Sequence, residues 1–238
     1  MTHPLMIALD FQDLASTKAF LNRFPNAKEL TVKIGMELFY REGPAVIAAI
    51  QEYGCDIFLD LKLFDIPHTV EKAMSQLGRL GVNYVTAHTL GGSAMLAAAK
   101  KGLSEGAAAV GKPAPLLLGV TELTSISEQV LKDEQNSRLD MTDQVLSLAR
   151  TAQAGGCDGI ITSPLELPGL SAELGTDFKY VVPGIRMAQD QKGDQVRVAD
   201  PHFARSNGAY AIVVGRPITQ SSDPLAAWQQ YQVNWEAE

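Results

Sequence analysis

Apolar residues in this chain gather into eight short runs, many of them β-branched, separated by longer stretches with helical spacing. The runs are Leu5 to Leu9, Leu30 to Ile34, Ile57 to Leu61, Tyr84 to Ala87, Leu116 to Val120, Gly159 to Thr162, Tyr180 to Val182 and Ala211 to Val214. A short, near-continuous apolar run predicts a strand buried on both faces. The intervening segments Pro44 to Tyr53, Val70 to Leu80, Ser93 to Leu103, Asp143 to Ala154 and Pro201 to Ser206 predict helices. Strand and helix alternate, which points to parallel βαβ units, and eight such units close most naturally into an α/β fold of the (β/α)8 TIM barrel type. An open doubly wound sheet is the alternative arrangement of the same units.

The 238 residues suit one barrel-sized domain spanning 1–238, and no linker, low-complexity tract or charge block marks a second. Lys132 to Asp140 is the most polar stretch and reads as a surface excursion. With 46% hydrophobic and 20% charged residues the composition is that of an ordinary globular protein. No run approaches the roughly 20 apolar residues of a membrane helix, and Met1 to Asp10 lacks the pattern of a secretion signal, so a cytoplasmic location without membrane contact is expected. Cys55 and Cys157 read as small buried hydrophobes rather than a disulfide, and the four His and two Cys show no metal-ligand spacing. The net charge of −7 disfavours a nucleic-acid surface, yet leaves room for a small anion in a pocket carrying a few positive groups.

A barrel binds its ligand at the carboxyl ends of its strands. Several charged residues fall there: Asp10 after the first, Lys33 near the end of the second, Asp60 and Lys62 at the third, and Arg216 after the eighth. Side chains two apart on a strand share a face, so Asp60 and Lys62 point together into the barrel, where unpaired charge is costly. A buried ion pair holding the barrel closed is one reading. Lys33 and Asp10, brought to the same mouth, favour a site. Pro67 suits a first helical turn and leaves Asp65 in the preceding loop, within reach of its own mouth or of a partner's face.

Loops after the seventh and eighth strands are the usual phosphate site of a barrel. Gly215 lets backbone approach an anion and Arg216 supplies a bidentate fork, although a tight turn with an exposed Arg reads equally well from the dipeptide. Arg186 and Gln195 on the preceding loop favour the phosphate. The polar segment Arg186 to Gln195, which contains Gly193, reads as a mobile lid. Gly106 to Pro113 imitates a P-loop but lacks the Ser or Thr that binds magnesium and precedes a strand. His88 at the end of the fourth strand reads as a structural residue and His68 as a bystander.

These residues sit in motifs: Ala8-Leu9-Asp10, Val32-Lys33-Ile34-Gly35, Asp60-x-Lys62-x-x-Asp65-Ile66-Pro67-x-Thr69, Thr121-Glu122-Leu123-Thr124-Ser125, Pro183-Gly184-Ile185-Arg186, Gly193-Asp194-Gln195 and Val214-Gly215-Arg216-Pro217-Ile218-Thr219. In this order and over essentially the whole chain, the sequence resembles the orotidine 5'-monophosphate decarboxylase family. The resemblance implies decarboxylation of orotidine 5'-monophosphate to uridine 5'-monophosphate without a cofactor or metal. It further implies that Lys62 protonates ring carbon six within an alternating Lys33, Asp60, Lys62, Asp65 array, and that Asp60 lies beside the substrate carboxylate. Asp10 and Lys33 are implied at the ribose, Thr124 at the pyrimidine, and Arg186, Gln195, Gly215 and Arg216 at the phosphate. Asp65 and Thr69 are implied to enter the neighbouring site of a homodimer.

Two other functions compete. A metal-dependent sugar-phosphate lyase or decarboxylase of the same superfamily shares the Asp-x-Lys-x-x-Asp signature, but such relatives place an acidic residue where this chain has Lys33. A non-catalytic nucleotide-binding protein has no use for a carboxylate set against an anionic ligand.

Overall fold

The structure is a computed structural model and describes residues 3–188, 190 and 198–237. Eight parallel strands run in sequence order around a closed barrel. They are β1 (Leu5–Ala8), β2 (Thr31–Ile34), β3 (Asp56–Leu63), β4 (Tyr84–His88), β5 (Leu116–Val120), β6 (Gly159–Ile161), β7 (Lys179–Val182) and β8 (Ala211–Val214). Every apolar run of the sequence is thus a strand. The open-sheet alternative is excluded by the pairing of β1 with β8, Leu5 to Ile212 through Ile7 to Val214.

Alternation along each strand divides the apolar residues between two cores. Met6 and Ala8 of β1, Phe58 of β3, Tyr84 of β4, Leu118 of β5, Val181 of β7 and Ala211 and Val213 of β8 pack together inside the barrel. Their neighbours in sequence, such as Leu5, Ile7, Val85 and Val182, belong to the larger core between barrel and helices. Burial on both faces is why these strands read as continuous hydrophobic runs.

The expected helices are present, as Ala45–Gln51, Pro67–Gly78, Gly92–Ala108, Met141–Ala154 and Pro201–Ser206. Aspartates cap several of them: Asp140 accepts the amide of Asp143, and Asp200 that of Phe203. Further helices span Leu14–Leu21, Met36–Glu42, Leu167–Leu174 and Pro224–Glu236. Within the polar excursion, Lys132 and Asp133 end a short helix, Glu128–Asp133, and the residues that follow are mostly exposed.

The two ends of the barrel segment are stitched together. Trp235 Nε1 donates to the carbonyl of His3 at 2.8 Å, and the guanidinium of Arg205 stacks over the Trp235 ring. No helix among the described residues is long and apolar enough to cross a membrane. Cys55 and Cys157 are buried and unbridged; burial pushes their thiols up to about 11 and about 12.

Candidate functional site

Inward-facing positions turn from apolar to charged toward the carboxyl ends of the strands. On β3, Phe58 belongs to the inner core, Asp60 comes next and Lys62 follows. Lys62 Nζ lies 2.8 Å from Asp60 Oδ2, so the two charges share one face as their spacing predicts. The backbone between them is less regular than the sequence implies. The register between β3 and β4 shifts between Leu59 and Leu63, and Lys62 adopts a φ of 52°. A left-handed conformation in a residue with a long side chain costs about 1–3 kcal/mol and persists only where its surroundings impose it. Here the Lys62 amide donates to Thr86 Oγ1 at 2.9 Å, and that hydroxyl donates to Asp60 Oδ1, also at 2.9 Å.

A second ion pair stands beside the first. Lys33, at the end of β2, reaches Asp10 Oδ1 at 2.9 Å. Gly35 makes room for it, since a Cβ there would lie 3.1 Å from Lys33 Nζ and 3.2 Å from Asp10 Oδ1.

Two cavities open at this end and share Lys33, Pro183 and Val213. One, of about 350 Å³, is lined by Lys33, Asp60, Lys62 and Thr124, among others. The other, of about 420 Å³, is lined by Asp10, Lys33, Arg186, Gly215 and Arg216. The structure therefore brings together Asp10, Lys33, Asp60, Lys62, Thr124, Arg186, Gly215 and Arg216. Arg186 is buried and donates to the carbonyl of Ile185 at 2.7 Å, whereas Arg216 is exposed and begins the short helix after β8. Gln195 and most of the expected lid lie outside the described residues. A parallel bridge joins Ile185 to Ala199.

Asp65 and Thr69 behave differently. Both are exposed and line neither cavity of their own chain, and Asp65 Oδ1 accepts the amide of Ile66 at 2.6 Å. Around them, the loops and helix starts that follow β2 to β5 expose Met36, Phe64, Ile66, Leu90 and Leu123.

The whole chain matches known proteins along its length. The family described as Orotidine 5'-phosphate decarboxylase / HUMPS matches residues 3–231. The chain belongs to this family. Orotidine 5'-phosphate decarboxylase of Lactobacillus delbrueckii subsp. bulgaricus is 52% identical over 235 residues, covering 99% of this chain and 98% of that protein. The protein of the same name from Lactobacillus gasseri is 50% identical over 229 residues, 96% of this chain and 97% of the relative. A crystal structure of orotidine 5'-phosphate decarboxylase from Lactobacillus acidophilus superposes with a TM-score of 0.90 at 46% identity, covering 99% of this chain and all of that one.

Sequence reasoning about this family member missed three side chains at the mouth. Glu122 is buried, lines the first cavity and accepts long hydrogen bonds from Gln135 and Gln144 at 3.3 and 3.4 Å. The signal was available: Val120 and Glu122 are two apart, as Asp60 and Lys62 are, and both line that cavity. Thr162 also lines it, with a buried hydroxyl that has no hydrogen-bond partner among the described residues. Thr86 gave no signal, because a threonine inside a strand reads as β-branched filling. His88 fits its structural reading, its Nδ1 facing the Leu90 amide at 3.4 Å and its ring packed on Phe64. Among the described residues, no group of three His, Cys, Asp or Glu side chains is placed to hold a metal ion.

Proposed function

We propose that this chain, acting as one barrel domain, decarboxylates orotidine 5'-monophosphate to uridine 5'-monophosphate without cofactor or metal. The observation that carries the reading is the Lys62–Asp60 pair on the wall of a cavity that adjoins a second, arginine-bearing one. The relatives' names point to the substrate, and the lining of the two cavities suits its parts. The pyrimidine fits the cavity with Asp60, Lys62 and Thr124. The phosphate fits the cavity with Arg186, Gly215 and Arg216, where Gln195 would join them, and the ribose spans Asp10 and Lys33.

The chemistry follows from fixed charge. Breaking the bond between ring carbon six and the carboxylate releases carbon dioxide and leaves an electron pair on carbon six. The Lys62 ammonium stabilises that pair and donates its proton to it, then regains a proton from solvent. Asp60, held against the substrate carboxylate, disfavours the bound ground state more than a transition state whose charge has moved into the ring. At about 4 Å such repulsion amounts to roughly 4 kcal/mol at an effective dielectric near 20.

Asp65 completes the array from a second subunit, together with Thr69. Their exposure, and the apolar side chains exposed around the mouth, support a homodimer that covers this face. The Lys33 ammonium, paired with Asp10, occupies the strand end where a metal-dependent relative needs a carboxylate, which argues against the lyase alternative.

The deciding experiment follows the ultraviolet change as orotidylate becomes uridylate. Wild type turns over with or without a chelator, and Lys62→Ala is slower by at least about a hundredfold. No turnover by wild type, or strict dependence on a divalent cation, overturns the proposal.

A further inference from the structure

We propose that Thr86 is a positioning residue for the decarboxylation: its single hydroxyl sets the orientation of both Asp60 and Lys62. This rests on the reading above that these two side chains act on the substrate. Thr86 faces inward from β4 and is fully buried. A backbone amide can only donate, so the hydroxyl must accept from the Lys62 amide, and its one proton is left for Asp60 Oδ1. The carboxylate is then held at both oxygens, Oδ1 by Thr86 and Oδ2 by the Lys62 ammonium. Neither group can rotate without breaking a bond to the other or to Thr86.

The same hydroxyl stabilises the left-handed backbone of Lys62 at the point where the β3–β4 register shifts. Without an acceptor there, that part-buried amide would be unpaired, and the peptide would relax toward the extended form. Relaxation would carry the ammonium away from the place where carbon six arrives. Thr86 lines neither cavity; it acts through Asp60 and Lys62, which line the first.

The test compares Thr86→Val, which keeps the shape and removes the hydroxyl, with Thr86→Ser, which keeps the hydroxyl. Turnover of orotidylate, affinity for uridine 5'-monophosphate by calorimetry and the thermal midpoint are measured for each. Thr86→Val is expected to lower kcat by about tenfold to a hundredfold while product affinity changes by less than about threefold, and Thr86→Ser to return kcat to within about threefold of wild type. If valine unfolds the barrel, Thr86→Cys, a weak donor of similar size, stands in under the same criteria. Wild-type kcat in Thr86→Val, or equal losses of kcat and product affinity, overturns the positioning role alone. A wild type without turnover overturns this role together with the function it serves.

Discussion

His88, at the end of β4, is a titratable group under the influence of both Glu122 and Lys62. Burial holds the His88 imidazole below its ordinary value, Glu122 pulls it back up, and the Lys62 ammonium presses it down again. In the unfolded chain His88 is free of that burial and takes up a proton near pH 6.5. As pH falls through about 6.5, the unfolded state therefore binds more protons than the folded one, and stability drops. Denaturation of wild type and His88→Asn between about pH 8 and pH 5 is expected to show the steeper loss in wild type; equal slopes would refute this. At this scale the sequence discloses charge and spacing but not backbone angle. The pairing of Asp60 with Lys62 was legible from a two-residue step along a strand. The left-handed turn at Lys62 was not, because alternation assumes an extended chain and the acceptor of the Lys62 amide, Thr86, lies 24 residues away in sequence.

Among the elements, strands were the most legible, since burial on both faces leaves a short apolar run, often β-branched, at each of them. Leu167–Leu174 escaped because Pro168 and Gly169 resemble breakers, although proline is at home in a first helical turn. The packing of the helices Pro67–Gly78 and Gly92–Ala108 explains the false P-loop. Gly106 lies within the second helix, where an added Cβ would stand 2.0 Å from the carbonyl oxygen of Ser75. Gly102 is equally tight, at 2.2 Å from the carbonyl of Glu71. These glycines let two helix backbones touch, and the first of those helices carries Thr69 in its opening turn. Gly106→Ala must push the helices apart, and urea denaturation is expected to show a loss of about 1–3 kcal/mol. Unchanged stability would mean that the contact yields freely.

At the scale of the whole molecule, Asp65 and Thr69 could not be placed by one chain's sequence or one chain's fold. They are exposed, as are apolar residues of the same loops, and in the proposed homodimer a second subunit gives them a site to enter. Mixing makes this measurable. Lys62→Ala and Asp65→Ala homodimers, each inactive alone, are expected to regain up to about a quarter of wild-type activity after exchange of subunits, because half the sites in each mixed dimer are then intact. A mixture that stays inactive despite proven exchange would place Asp65 in its own chain's site. The seam between β1 and β8 carries a further consequence. Asp10 arrives with the first strand and Arg216 only after the last, so the arginine-bearing cavity is shared between the opening and closing stretches of the barrel. Until the final strand docks against the first, the two halves of that cavity stay apart, so the proposed phosphate site forms only with barrel closure.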